Sequence, residues 1–74
     1  MREWLKKARL NKALTMKQLA NKLCISESYY CAIEKGVRQR DMDLSLAEKL
    51  SQVLDISLKD ILLAESKQRE ILVD

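Results

Sequence analysis

The chain has 74 residues, a net charge of +3 and 47% hydrophobic residues, with one glycine, no proline and no phenylalanine. A chain of this length forms at most one small domain, and its apolar content is too high for a disordered segment. The near absence of glycine and proline predicts a helical protein. The chain contains no apolar run near the ~18 residues that cross a bilayer and no signal-peptide pattern, so we also predict that it is cytoplasmic and does not bind membranes.

The first two predicted helices lie near the N-terminus. Residues 2–13 show a weak helical stripe that includes Leu5. Thr15 and Gln18 then have the spacing of a capping box, in which each side chain bonds the backbone N–H of the other residue. This pattern predicts that the second helix begins at about Met16. Its predicted inward residues are Leu19, Ala20 and Leu23.

A third helix is predicted over residues 27–35. Ser26 is a favourable N-cap for it, because its hydroxyl can accept a hydrogen bond from a backbone N–H of the first turn. Gly36 is expected to end it, since glycine adopts the left-handed conformation after a helix without penalty. Tyr30 and Ile33 are its predicted inward residues.

Two more helices are predicted after a basic connector. Asp43 is the predicted N-cap of the fourth, although Ser45 and Glu48 form a rival capping box. Ser57 and Asp60 are expected to open the fifth. The apolar residues at helical spacing are Leu44, Ala47, Leu50, Val53 and Leu54 in the fourth helix and Leu58, Ile61 and Leu62 in the fifth.

The predicted architecture is therefore all-α, with five short helices around one small core over residues 1–64. Residues 65–74 are interpreted as a C-terminal tail that is charged and then ends in Ile71, Leu72 and Val73.

Charge is divided unevenly between the two halves of the chain. Residues 1–40 contain ten Lys and Arg against three Asp and Glu, whereas residues 41–74 contain four against eight. The first half is suited to face anions, although an ordinary solvated surface can carry the same charges.

Several function classes are disfavoured. Cys24 and Cys31 are the only thiols, and the chain has no histidine, which leaves too few ligands for a zinc site and no evident base for a nucleophile. A glycine-rich phosphate loop is also missing. We expect reduced cysteines, no metal, no cofactor and no enzymatic activity.

Residues 15–36 have the layout of a helix-turn-helix, with two short helices joined by a turn of three residues. The run TMKQLANKLCISESYYCAIEKG resembles the helix-turn-helix of the Cro and phage-repressor (Xre) family, and DLSLAEKLSQVLDISLKDIL resembles its fourth and fifth helices. In the first run the matching residues are Thr15, Leu19, Ala20, Ile25, Ser26, Ile33, Glu34 and Gly36. The resemblance implies a five-helix lambda-repressor-like domain and a transcriptional regulator that binds a double-stranded DNA operator as a homodimer.

The resemblance also implies which residues contact DNA. The positions that match base readers are Glu27, Ser28 and Ala32; Tyr29 beside them is expected to read a base by packing against a thymine methyl, or to reach a phosphate with its hydroxyl. Glutamate can accept a hydrogen bond from cytosine, and serine can bond several base edges, whereas the alternative for Glu27 is a carboxylate that only favours the positive end of a helix. Phosphate contacts are expected from Thr15, Lys17, Ser26, Lys35, Arg38 and Arg40.

Two further expectations follow from the resemblance. Arg9 and Glu34 match a partly buried salt bridge that ties the first helix to the third, which is the recognition helix that enters the major groove; the alternative is two exposed charges. The dimer contact is expected at Ile56, Leu58, Lys59 and Leu62.

The sequence departs from the family pattern at the turn and at the start of the second helix. Met16 replaces a glutamine that often contacts phosphate. Cys24 replaces the turn glycine, where a left-handed backbone is costly for other residues, so the turn is expected to be strained or slightly rebuilt. A rival function is an antitoxin or anti-repressor that binds a toxin or another regulator, with residues 71–73 as a contact, although a frayed chain end is the commoner explanation of these residues.

Overall fold

The computed structural model describes the backbone of residues 1–73 and the side chains of residues 1–67. Within that range the chain forms five α-helices and no strand, which confirms the predicted all-α class. The helices are α1 (Glu3–Asn11), α2 (Met16–Lys22), α3 (Glu27–Lys35), α4 (Leu44–Leu54) and α5 (Leu58–Val73). No helix in the described part is long and apolar enough to span a membrane. The apolar side chains at 71–73, which the rival function invokes, lie outside the described residues.

The helices fall into two compact units, Met1–Asp41 and Met42–Asp74. The first unit contains α1, α2 and α3, and each of its helices contributes to the core. Leu5 of α1, Leu19 of α2 and Ile33 of α3 are at most 1% exposed. Ala20, Leu23 and Tyr30 are also buried, as predicted.

The helix ends of the first unit follow the predicted capping residues. Thr15 Oγ1 accepts a hydrogen bond from the Gln18 N–H at 3.0 Å, and Gln18 Oε1 accepts one from the Thr15 N–H at 2.9 Å. Ser26 Oγ accepts from the Tyr29 N–H at 3.1 Å. Gly36 ends α3 in the left-handed conformation, with φ of 81°. Short polar side chains and one glycine therefore set the length of both helices.

The second unit contains α4 and α5. Asp43 Oδ1 accepts a hydrogen bond from the Leu46 N–H at 2.7 Å and starts α4, so the rival capping box is not used. One predicted core residue is wrong, because Leu44 is 59% exposed and Leu46 is buried instead. The buried stripe passes through Leu46 and Leu50 at a spacing of four, which turns Leu44 away from it.

The fifth helix is longer than the sequence analysis implied. Ser57 Oγ accepts a hydrogen bond from the Asp60 N–H at 3.1 Å, and Ile61 is fully buried. The helix then continues to Val73, so the predicted boundary at residue 64 falls inside α5. No glycine or proline occurs between residues 58 and 73 to end it.

Candidate nucleic-acid interface

The turn between α2 and α3 fixes the relation of these two helices. Leu23 and Ile25 donate their backbone N–H groups to the carbonyls of Leu19 and Ala20, each at 3.0 Å. Between them Cys24 has φ of 60°, so it adopts the left-handed conformation that the sequence pattern assigned to a glycine. That conformation costs a non-glycine residue roughly 1–2 kcal/mol. The turn therefore keeps its helix-turn-helix form and is not rebuilt around the cysteine.

One face of α3 is anchored in the first unit. Tyr30, Ile33 and Glu34 are spaced three and four residues apart and are all buried. Arg9 Nε donates to Glu34 Oε2 at 3.1 Å, and Arg9 Nη2 donates to Glu34 Oε1 at 3.3 Å. Arg9 Nη1 also donates to the Leu14 carbonyl at 2.9 Å. The ion pair expected from the resemblance thus forms, and it joins α1 to α3.

A tyrosine completes this buried cluster. Tyr30 Oη donates a hydrogen bond to Glu34 Oε2 at 2.6 Å. Burial and then the hydrogen bond to Glu34 raise the pKa of Tyr30 well above its ordinary value. The hydrogen bonds to Glu34 also raise the pKa of Arg9, so its guanidinium stays charged. The cluster therefore holds the Glu34 carboxylate between two donors, Arg9 on α1 and Tyr30 on α3.

The other face of α3 is open. Glu27 and Ser28 are exposed at its first turn, and Ala32 is half-buried one turn later. Lys35 is exposed and continues the same side of the helix, because residues spaced three or four apart share a face. A small-residue surface with a carboxylate and a hydroxyl at its N-terminal end can approach base edges and bond them.

Tyr29 is placed differently from the other predicted base readers. Its side chain is half-buried, and its hydroxyl accepts a hydrogen bond from Gln39 Nε2 at 2.9 Å. The ring therefore links α3 to the connector that follows Gly36. A contact from Tyr29 to a base or a phosphate requires this hydrogen bond to be shared or broken.

Exposed cations dominate the first unit. Of the ten Lys and Arg in residues 1–40, Arg2 and Arg9 are buried and the other eight are exposed. Glu34 is buried as well, so only two carboxylates of this segment are exposed. The exposed cations include each one predicted to contact phosphate, namely Lys17, Lys35, Arg38 and Arg40.

The two hydroxyl residues predicted at phosphates, Thr15 and Ser26, are exposed N-caps of α2 and α3. Each hydroxyl oxygen already accepts a backbone hydrogen bond, and the Ser26 hydroxyl also lies 3.4 Å from the Ser28 hydroxyl, where either can be the donor. Met16 is half-buried beside Thr15, where the family pattern has a glutamine. A phosphate contact at the start of α2 would therefore come from Thr15 or Lys17.

Sequence reasoning missed two residues of this region. Arg2 is 2% exposed, and its guanidinium bonds backbone carbonyls of α3 and the connector. Gln39 has φ of 55° and bonds Tyr29. Neither residue belongs to a recognisable motif, because one charged residue near a helix start and one glutamine in a connector carry no periodic signal.

The predicted dimer residues all lie in the second unit. Ile56 and Leu58 are half-buried, Lys59 is exposed and Leu62 is 54% exposed. Ser51 Oγ donates to the Ile56 carbonyl at 2.6 Å and orders the turn before α5. A surface cavity of about 130 Å³ opens beside Leu62; its lining residues are Met42, Ala47, Ile61, Leu62, Glu65 and Ser66.

The remaining candidate chemistry is limited. Cys24 is exposed and Cys31 is half-buried, and both are free thiols. Among the residues whose side chains are described, no group of three or more His, Cys, Asp or Glu is arranged to hold a metal ion. The anchored and open faces of α3, with the left-handed turn before it, define a helix-turn-helix protein.

Comparison with known proteins agrees with this class. The helix-turn-helix family model matches residues 5–61. The chain is 38% identical over 63 residues to the uncharacterized HTH-type transcriptional regulator YqaF of Bacillus subtilis (strain 168), and this match covers 82% of the chain and 83% of YqaF. It is 39% identical over 67 residues to the uncharacterized HTH-type transcriptional regulator YqaE of the same organism, and that match covers 90% of the chain and 56% of YqaE. No solved structure matches the chain.

The family match spans more than half of the chain and contains α2, the turn and α3. The chain therefore belongs to the helix-turn-helix family, in its Cro and phage-repressor (Xre) branch, which is a class of DNA-binding transcriptional regulators.

Proposed function

We propose that this protein is a transcriptional repressor that binds a near-palindromic operator as a homodimer, with α3 in the major groove. The observation that carries the proposal is the division of α3 into two faces. Tyr30, Ile33 and Glu34 are buried, while Glu27 and Ser28 are exposed. A helix that is anchored on one side presents the other side in a fixed orientation, as reading a base sequence requires.

The surrounding charge supports binding to a polyanion. Lys17, Lys35, Arg38 and Arg40 are exposed around α3 or near it in the chain. Contacts from such residues to phosphates supply affinity that does not depend on sequence, and contacts from α3 supply the selectivity.

The homodimer follows from the size of the reading surface. The nine residues of α3 cover too few base pairs to select one site in a genome. A second copy doubles the site, and two-fold symmetry makes it a near-palindrome. Leu62, which is 54% exposed, and Ile56 and Leu58, which are half-buried, are the proposed contacts between copies.

Selection of bound sites from a random DNA pool tests the proposal most directly. We expect a near-palindrome whose half-sites have centres about 10–10.5 base pairs apart, one turn of the duplex. Glu48→Ala serves as a control, since it removes an exposed carboxylate from α4 rather than from α3. If no sequence is enriched, sequence-specific binding is contradicted. If a single half-site without symmetry is enriched, the dimer is contradicted.

A further inference from the structure

Arg2 makes an unusual set of hydrogen bonds for a charged side chain. It is 2% exposed, and Nη1 donates to the Ile33 carbonyl at 2.6 Å and to the Arg38 carbonyl at 3.2 Å. Nη2 donates to the Gln39 carbonyl. In addition, the Arg2 backbone N–H donates to the Glu34 carbonyl at 2.8 Å. One guanidinium therefore ties the last turn of α3 to the connector at residues 37–41.

The position of this cation suits its partners. The Ile33 carbonyl lies in the last turn of α3 and also accepts the Gly36 N–H at 3.1 Å; the aligned peptide dipoles make this helix end partially negative. A guanidinium there is stabilised electrostatically while it also offers five donors in a fixed planar fork. The ammonium of a lysine carries its donors on one nitrogen. It therefore cannot reach three carbonyls on two segments as the two terminal nitrogens of a guanidinium do.

The connector has little regular structure of its own. It contains no helix or strand; Gly36 just before it and Gln39 within it have left-handed conformations, with φ of 81° and 55°. Val37 and Arg38 donate their backbone N–H groups to the Ala32 carbonyl at 2.9 and 3.2 Å. Beyond Arg38, the connector is fixed to α3 by side chains, through Arg2 and through the Gln39 contact with Tyr29.

From this arrangement we infer that Arg2 is a positioning residue for DNA binding. It holds the connector against the last turn of α3, and it thereby positions the exposed side chains of Arg38 and Arg40, which lie on this connector, for contact with phosphate. Because Arg2 is buried, it acts through these arginines and does not contact phosphate itself. A connector that is already ordered loses less conformational entropy when it binds. The inference rests on the proposed function.

Arg2→Lys and Arg2→Met test the inference through the salt dependence of DNA binding. Affinity is measured between 50 and 200 mM salt, a range in which phosphate contacts are weakened strongly. We expect the log–log slope to flatten by about one to two units, roughly one for each arginine that loses its phosphate. Arg2→Lys keeps the charge and should flatten the slope less. Lys7→Met removes an exposed cation from α1 and should leave the slope unchanged.

A double-mutant cycle separates positioning from a purely structural role. Arg38→Ala should weaken binding clearly in the parent and hardly at all when combined with Arg2→Met, because Arg38 is then already misplaced. If Arg2 only stabilises the fold, the variant lowers the thermal midpoint, while the slope and the effect of Arg38→Ala stay as in the parent. That result overturns the inference, and so does global unfolding of both Arg2 variants in circular dichroism.

The parent protein shows which hypothesis has failed. If the parent does not bind DNA in a salt-dependent manner, the proposed function is wrong and the inference falls with it. If the parent binds and both Arg2 variants keep its slope, only the role of Arg2 is wrong.

Discussion

Arg9 of α1 and Glu34 of α3 form a two-pronged ion pair, with Nε and Nη2 of the guanidinium 3.1 and 3.3 Å from the two carboxylate oxygens. The side chains are 8% and 2% exposed. Glu34 also accepts the hydroxyl of Tyr30, which lies one turn earlier on the same helix. The orientation of the open face of α3 therefore depends on a charged cluster on the opposite side of that helix.

Removal of one partner from this pair should be costly. Arg9→Met leaves the Glu34 carboxylate buried without its cation and should lower the free energy of unfolding by about 3–5 kcal/mol in urea titrations. The double variant Arg9→Met with Glu34→Gln should recover part of that loss, because no charge is then stranded. Glu48→Gln changes an exposed carboxylate on α4 and should have little effect. A loss below about 1 kcal/mol for Arg9→Met would show that the pair behaves as an exposed one.

Stability should fall at alkaline pH because of Tyr30. Its pKa in the folded protein lies above the ordinary value of 10.0, so above that pH the folded state binds more protons than the unfolded state. The stabilisation is fully present below about pH 10 and is lost as the pH rises further. One proton corresponds to a slope of at most about 1.4 kcal/mol per pH unit. Urea titrations at constant ionic strength from about pH 8 to pH 11 measure it.

Two tyrosine variants test whether Tyr30 causes this loss of stability at alkaline pH. Tyr30→Phe should remove this contribution, and at neutral pH it should cost about 1.5–3 kcal/mol for the lost hydrogen bond to a charged group. Tyr29→Phe changes the half-buried tyrosine of the same helix and should keep the alkaline slope of the parent. Equal alkaline slopes in the parent and in Tyr30→Phe would mean that Tyr30 is not responsible.

The sequence predicted the local elements of the fold well because their signals are local. Capping side chains at Thr15, Ser26 and Asp43 and the glycine at 36 fix where helices begin or end, and each acts within a few residues. The predicted burial of Leu44 was wrong because an apolar residue next to an N-cap can belong to either of two apolar stripes along the helix. Packing, and not spacing, decides which of the two stripes is buried.

The site was harder to predict because its supports are long-range. The bond from Arg2 to Ile33 spans 31 residues, and the bond to Gln39 spans 37. No periodicity relates such positions. The Arg9 and Glu34 pair spans 25 residues and was expected only through the family resemblance. The burial of Arg2 could therefore not be predicted from the sequence, where Arg2 is only one of ten basic residues in the first 40.

Arg38 should contribute to affinity without reading sequence. Its side chain is exposed, so Arg38→Ala should weaken binding to all DNA sequences about equally and flatten the log–log salt slope by about one unit. Lys49→Ala removes an exposed cation from α4 and is the charge-matched control. An unchanged slope for Arg38→Ala would mean that this side chain contacts no phosphate.

Glu27 and Ser28 should determine which bases are preferred. Both are exposed on the first turn of α3. Glu27→Ala and Ser28→Ala should each alter the preference at one or two positions, by roughly 1–3 kcal/mol for a good contact. Selection from random DNA with each variant measures the change, and Glu3→Ala, an exposed carboxylate on α1, is the control. If both variants select the parent's site, base reading depends on other residues.

Leu62 should support dimerisation through its exposed side chain. It is 54% exposed beside fully buried Ile61, and neighbouring Leu63 is equally exposed. Leu62→Glu would place a charge in each half of an apolar contact, where burial of an unpaired carboxylate is unfavourable. The monomer should remain helical, because residue 62 is not part of the core. We therefore expect weaker dimerisation in sedimentation experiments and a loss of cooperative operator binding.

The matched control for that variant is Leu10→Glu. Leu10 lies on α1, is 56% exposed and is absent from the proposed contact, so the same change of charge and size should leave dimerisation intact. If Leu62→Glu and Leu10→Glu reduce operator binding equally, the effect comes from added negative charge near a polyanion. If Leu62→Glu dimerises like the parent, the contact between copies lies elsewhere and α5 is not its centre. Loss of dimerisation in Leu62→Glu alone, with unchanged affinity for an isolated half-site, is the result expected if α5 joins the two copies.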